Sequence, residues 1–196
     1  MKKSRSVLSL LLDLWGVFLI PAYTLLFAGS VEWFSTNFSV LAVTGAGHYR
    51  GFLVWGLLAG GYFLVMLTLL TSTLPRRNIR RMIYTLGWSG AVCLGLGLPL
   101  PYVPEFLPGI SQLHVLLAFS ACVLVMLALL VLTMALYRED KSYRPFLKGW
   151  CAIVVGCGVL FALSGMISTA LEVFFTLSVT LLFRRLWRKA WDTEFK

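Results

Sequence analysis

Six residues that could bind a ligand or move a proton lie in or beside three segments that connect long apolar runs. They are Glu32, His48, Arg50, Glu105, His114 and Glu172. Carboxylates accept hydrogen bonds, a guanidinium donates them, and an imidazole does either, so these groups could together hold a polar headgroup or an ion. The pattern predicts one polar site that is assembled from all three connections.

His114 and Glu172 are the strongest candidates, because each is expected near the end of a membrane helix. Glu105 lies in a loop and is a weaker candidate. An acid in an apolar surrounding is costly unless it is paired, and Arg50 is the only cation in these connections. We therefore expect Glu172 to pair with Arg50 or with a protonated histidine. A structural ion-pair cluster that holds the loops is the alternative to a binding pocket.

The sequence gives no motif for a metal, a cofactor or a catalytic nucleophile. The two histidines are far apart, the four cysteines form no Cys-x-x-Cys pair, and neither His-Glu-x-x-His nor Gly-x-Ser-x-Gly is present. We expect no metal and no cofactor, and we leave the catalytic residues of an enzyme unknown. In an enzyme, His114 would work with Glu172 or Glu105 as general base and partner.

The elements that must position these residues are membrane helices. Hydrophobic residues make up 59% of the 196-residue chain and the mean hydropathy is +0.87, whereas a soluble domain has about 45–50% apolar residues. We predict an all-α integral membrane protein with one domain, residues 1–196. The net charge of +9 is assigned to membrane orientation, and no nucleic-acid partner is expected.

The apolar runs predict six spans, because about 20 apolar residues are needed to cross a bilayer. The last run is too long for one helix, so a tight turn is expected near residues 164–169. The predicted spans are about 6–29, 51–73, 82–100, 111–137, 148–164 and 167–186.

Charge placement predicts the orientation of this six-helix bundle. With six spans, every one of the 17 lysines and arginines except Arg50 falls on the same side. Basic residues collect on the cytoplasmic side, so both termini are predicted to be cytoplasmic, with the plasma membrane as the favoured location. The basic face would attract anionic lipid headgroups, and the polar site would face outward.

Two features inside the apolar runs have open roles. Asp13 lies about two turns into the first span, where it could join polar contacts between helices or relay a proton. Gly56 and Gly60 form a Gly-x-x-x-Gly pair. This pattern is typical of close packing between helices of one chain, and it also occurs in homodimers.

The segment LPLPYVPEFLPGISQLH, residues 98–114, joins spans three and four. Its prolines stiffen the exit from span three, because proline fixes φ and lacks an N–H donor. Ser111 is a suitable N-cap, so span four is predicted to begin there. His114 would then lie in its first turn.

Four segments together resemble an uncharacterised group of six-span bacterial membrane proteins. They are FSTNFSVLAVTGAGHYRG, GLPLPYVPEFLPGISQLHVLLAFSA, KSYRPF and LEVFFTLSVTLLFRRLW. That group is similar in layout to the eukaryotic Frag/DRAM/Sfk type, which is tied to lipid handling and membrane homeostasis. The resemblance implies that His114 matches the histidine of span four and Glu172 a polar residue of the last span. The first outer loop departs from the group's serine-leucine-glycine pattern, which leaves the roles of Ser39 and Thr44 open.

The leading hypothesis is a membrane protein whose outward-facing polar pocket binds a lipid or another amphiphile. Two other functions remain open. A chain of this size with six spans also fits the substrate-binding membrane subunit of a small-molecule transporter. A membrane-embedded lipid hydrolase or transferase is the other alternative, so enzymatic activity stays undecided.

Overall fold

Every regular element in the described part of the chain is helical, which confirms the all-α prediction there. The computed structural model describes residues 2–29, 31–45 and 48–194. The remaining residues lie outside this description: Met1, Ser30, Ala46, Gly47, Phe195 and Lys196, the last of which belongs to the predicted basic tail.

Within the described residues, eight α-helices follow one another. They are α1 (Lys2–Asp13), α2 (Ile20–Ala28), α3 (Phe38–Thr44), α4 (His48–Ser72), α5 (Arg77–Gly97), α6 (Pro108–Glu139), α7 (Arg144–Ser164) and α8 (Thr169–Glu194). A π-helical segment, Leu14–Leu19, joins α1 to α2, and a 3-10 turn, Lys141–Tyr143, precedes α7.

In the part of the chain that the structure describes, four helical segments are long and apolar enough to cross a bilayer. They are Val7–Ala28, His48–Ser72, Pro108–Glu139 and Lys141–Ser164. Charged residues shorten the apolar part of the other two long helices. In α5 it covers residues 82–97 and in α8 residues 173–183, lengths of about 24 and 16 Å at 1.5 Å per residue. Both are shorter than a hydrocarbon core of about 30 Å.

The hairpin predicted in the last apolar run is confirmed. Gly165 ends α7 with φ 68°, a left-handed conformation that glycine adopts without steric cost. The expectation that Ser111 caps the start of this helix is wrong, because α6 begins at Pro108 and Leu107 is its N-cap. Proline suits the first position of a helix, where an N–H would have no partner. Ser111 instead lies inside α6, and its Oγ accepts a hydrogen bond from the Val103 N–H at 2.9 Å.

The π-helical segment has a local cause in the sequence. Pro21 follows it, at the start of α2, and lacks the N–H that would continue the α-helical ladder. A π-bulge adds one residue to a turn and is a common way to absorb such an interruption. Gly16 lies in this segment, and the hydroxyl of Tyr62 from α4 packs so closely that a Cβ would overlap it.

The long helices alternate in direction, so their ends form two groups. At the basic end, Arg184 of α8 lies beside Asp13 of α1, and Lys189 lies over the Tyr143 ring. At the loop end, residues 31–45 contact the starts of α6 and α8, and the Tyr49 hydroxyl donates to Pro99 O at 2.9 Å. The apolar core lies between these two ends.

The Gly-x-x-x-Gly pair of α4 packs within the chain. A Cβ on Gly56 would overlap Leu98, the residue that follows α5, and one on Gly60 would overlap Leu94 near the end of α5. The small residues therefore let α4 and α5 approach closely. A homodimer was only the alternative interpretation of this pattern, and it stays untested.

Candidate functional site

His114 lies in the second turn of α6 and is 2% exposed. Its Nδ1 is 3.0 Å from the carbonyl oxygen of Gly97, the last residue of α5. A carbonyl only accepts, so Nδ1 is the donor and carries the proton. In the neutral ring Nε2 is then an acceptor, and the Ser39 hydroxyl lies 2.8 Å from it. The chain thus brings together a hydroxyl and an imidazole whose tautomer is fixed.

Two aromatic rings lie beside the imidazole. The ring centroids of Phe52 and Tyr102 each lie 6.1 Å from that of His114. Phe52 belongs to α4, and Tyr102 belongs to the proline-rich connection. The close packing around His114 restricts its ring orientation, so the contact with Ser39 has a defined geometry.

The short helix α3 presents Ser39. Asn37 caps the helix, because its side chain accepts from the Val40 N–H at 2.9 Å. Phe38 and Leu41 are buried in the core of the loop end, whereas Ser39 is partly exposed. An amphipathic turn with an N-cap therefore points its apolar side into the bundle and leaves Ser39 within reach of the surroundings.

Glu172 completes the start of α3. Its Oε2 accepts a hydrogen bond from the Phe38 N–H at 2.7 Å, a group without a partner inside the helix. A carboxylate is also favoured near a helix N-terminus. The predicted pairing of Glu172 with Arg50 or a histidine is wrong: among the described residues, the ion pairs are those of Asp13 with Arg184 and Arg188.

The first connection, residues 31–45 between α2 and α4, also supplies hydrogen-bond acceptors to the start of α8. The Thr169 N–H donates to Thr36 O at 2.7 Å, and the Ala170 N–H donates to Trp33 O at 2.9 Å. The Thr169 hydroxyl donates to Thr36 O as well, at 3.1 Å. Each segment thus provides acceptors for backbone N–H groups of the other. α8 supplies a carboxylate to α3, and the first connection supplies carbonyl oxygens to α8.

The structure links His114 and Glu172 through adjacent residues, because one contacts Ser39 and the other Phe38. The other four predicted site residues have exposed side chains. They are Glu32, His48, Arg50 and Glu105. Glu32 accepts from the Ser35 hydroxyl at 2.6 Å, and the His48 N–H donates to Gly45 O at 3.2 Å.

No family model matches the chain, and comparison with curated proteins and with solved structures finds no significant similarity. The resemblance to the six-span bacterial group therefore stays a prediction. What can be said of function rests on this chain's own residues and their geometry.

Sequence analysis missed Ser39 as the partner of His114. The signal was Asn37, since an N-cap followed by apolar residues indicates a helix in which Ser39 lies near the start. It also missed the partners of Asp13, which accepts from Arg184 Nε at 2.9 Å and Arg188 Nη2 at 2.7 Å. These arginines are four residues apart, a spacing that places both on one helix face.

A surface crevice lies on α5 near the basic end. It is lined by Asn78, Arg81, Met82, Thr85 and Leu86. The outward pocket predicted beside His114 stays a prediction, and what the structure provides at the loop end is a set of hydrogen-bonded polar groups.

Proposed function

We propose that the protein crosses the plasma membrane six times and binds an amphiphile at its loop end. The four apolar candidate spans support membrane insertion. The antiparallel course of α5 and α8 among them supports two further spans. In this arrangement the basic end is cytoplasmic, because basic residues collect on that side.

The charges of α8 are compatible with a span because protein surrounds much of this helix. Val179 and Phe183 are fully buried, and Thr180 is nearly so. Glu172 is hydrogen-bonded at one end of the apolar stretch and Arg184 is paired at the other. Charged groups in spans are tolerated when they face the bundle and have partners.

The observation that carries the binding proposal is the Ser39–His114 pair at a helix end with exposed apolar side chains on the adjoining connections. The exposed fraction is 54% for Phe34, 80% for Phe106 and 43% for Leu107. An amphiphile has a polar linkage next to apolar chains. A hydroxyl–imidazole pair beside apolar side chains offers matching partners for both parts. The layout resemblance, which implies lipid handling, favours the same ligand class.

Photo-crosslinking in nanodiscs tests this proposal. The probe is an ether-linked phospholipid with a diazirine close to the glycerol. We expect crosslinks to concentrate in residues 33–45 and 98–114. Lipid that merely surrounds the bundle would label the exposed face of α7, Val155 and Val159, with equal frequency, and that result would contradict a specific site.

A pair of variants sharpens the test. Ser39→Phe should lower crosslinking at the loop end more than twofold, because the bulky ring replaces the hydroxyl beside His114. Val54→Phe on α4 is the control, since Val54 is 43% exposed outside both segments and should leave the crosslinks unchanged. Equal effects of both variants would argue against a site at Ser39.

A further inference from the structure

We infer that Ser39 and His114 form a nucleophile–base pair that transfers the acyl group of an ester-linked amphiphile. The substrate class rests on the proposed function, whereas the pair itself rests on geometry. The Oγ to Nε2 distance of 2.8 Å lies within the range in which a general base removes a hydroxyl proton.

The third group of the arrangement is a backbone carbonyl. Gly97 O accepts from Nδ1–H at 3.0 Å and so directs the Nε2 lone pair toward Ser39. In nucleophile–base pairs a third group commonly orients the base in this way. Here the orienting group is neutral, so it fixes the tautomer without adding a charge beside the imidazole.

The base, His114, is buried and the nucleophile, Ser39, is partly exposed, as such a reaction requires. His114 is 2% exposed and lies beside two aromatic rings, so bulk water does not reach most of the base. Ser39 is partly exposed and lies on a short helix at the loop end. A substrate carbonyl can therefore approach Oγ while the base stays protected.

The reaction proceeds in two balanced steps. Ser39 Oγ bonds to the carbonyl carbon of the ester while its proton passes to His114 Nε2. The bond from this carbon to the alcohol oxygen breaks, and Nε2–H returns the proton to the leaving alcohol. Water or a second alcohol then attacks the acyl-serine by the same route, which releases an acid or a new ester and restores Ser39.

A fluorophosphonate probe with a long alkyl chain tests the inference on the intact chain in nanodiscs. Ser39 Oγ would displace fluoride from phosphorus, and the adduct would be located by peptide mass spectrometry. We expect one adduct per chain, at Ser39, and a rate at least about 100-fold lower in His114→Gln, the range that general-base catalysis supplies. An adduct on another serine, or an unchanged rate in His114→Gln, would overturn the inference.

Ser35→Ala is the control, because Ser35 lies on the same connection but its hydroxyl donates to Glu32. This variant should label at the wild-type rate. A second variant covers the case in which His114→Gln does not fold. Ser39→Cys, with the four native cysteines replaced by alanine, should react with iodoacetamide faster than Ser35→Cys in the same background. Equal rates would count against an activated position 39.

The two proposals fail in distinguishable ways. Loop-end crosslinking by the ether lipid without a Ser39 adduct would support amphiphile binding and contradict the role of Ser39 as a nucleophile. A Ser39 adduct without loop-end crosslinking would support Ser39 as a nucleophile and contradict a lipid as its substrate. Loss of both results would refute both proposals.

Discussion

Polar side chains at the loop end are satisfied mainly by backbone groups. Glu172 accepts from the Phe38 N–H, and His114 donates to Gly97 O. Such partners do not depend on a second ionisable residue. The carboxylate of Glu172 and the imidazole of His114 therefore hold the three connections together without the ion pair that the residue types indicated.

Removing the acceptor at position 172 should loosen α3. Glu172→Leu leaves the Phe38 N–H without a partner, which costs about 1–3 kcal/mol. Glu172→Gln keeps an acceptor oxygen and should cost less. Thermal unfolding followed by tryptophan fluorescence would rank the wild type above Glu172→Gln and Glu172→Leu last. A Glu172→Leu variant as stable as the wild type would show that the bond contributes little.

The Asp13 ion pairs give a second residue-scale prediction. Asp13→Asn removes the charge between Arg184 and Arg188, whose side chains are 21% and 53% exposed. Because the pairs are only partly shielded, we expect a loss of about 1 kcal/mol in the free energy of unfolding. Arg185→Gln is the control, since Arg185 is exposed and does not contact Asp13. Equal destabilisation by both changes would show that the effect does not come from the Asp13 ion pairs.

At the scale of elements, apolar run length predicted the long helices well. Six long helical segments occupy the predicted runs, because a run of apolar residues has few ways to satisfy its backbone in an apolar medium. The ends were less predictable. The start of α6 was missed because Pro108 competes with Ser111 as a start signal. The Ser111 N–H donates to Leu107 O at 3.0 Å, so the helix already begins at Pro108.

Close packing of α5 on α6 can be tested with two glycines of the same helix. A Cβ on Gly90 would lie 3.3 Å from Ala121 O and 3.4 Å from Leu124 Cβ, whereas one on Gly95 meets nothing within 4 Å. Gly90→Leu should therefore cost about 1–3 kcal/mol through overpacking. Gly95→Leu should be neutral or slightly stabilising, since glycine is unfavourable inside a helix by about 0.5–1 kcal/mol. Unfolding midpoints of both variants measure the difference, and equal midpoints would contradict the packing described for Gly90.

The candidate site could be predicted only in part. His114 and Glu172 stand out in the sequence because titratable residues are rare in apolar helices. Ser39 does not stand out, since serine is common in loops and its meaning depends on a partner 75 positions away. Long-range contacts of this kind follow from how the helices pack, which the local pattern does not contain.

At the scale of the whole molecule, the six-span arrangement predicts which positions are accessible from each side. In a chain without native cysteines, Glu105→Cys should react with a membrane-impermeant maleimide added to intact cells. Lys141→Cys should react only after the membrane is permeabilised. Labelling of both positions in intact cells would contradict the proposed orientation, and labelling of neither would place both ends inside.

The contacts between the first connection and α8 have a consequence for biosynthesis. The Phe38–Glu172 bond joins residues 134 positions apart, and the Thr169–Thr36 bond joins residues 133 apart. While the ribosome is still making the last hairpin, the first connection therefore has no partner for these groups. The Ser39–His114 pair can meet earlier, but the Phe38 N–H of α3 gains its acceptor only when α8 is inserted. Insertion of α8 would then be the event that orders the loop end.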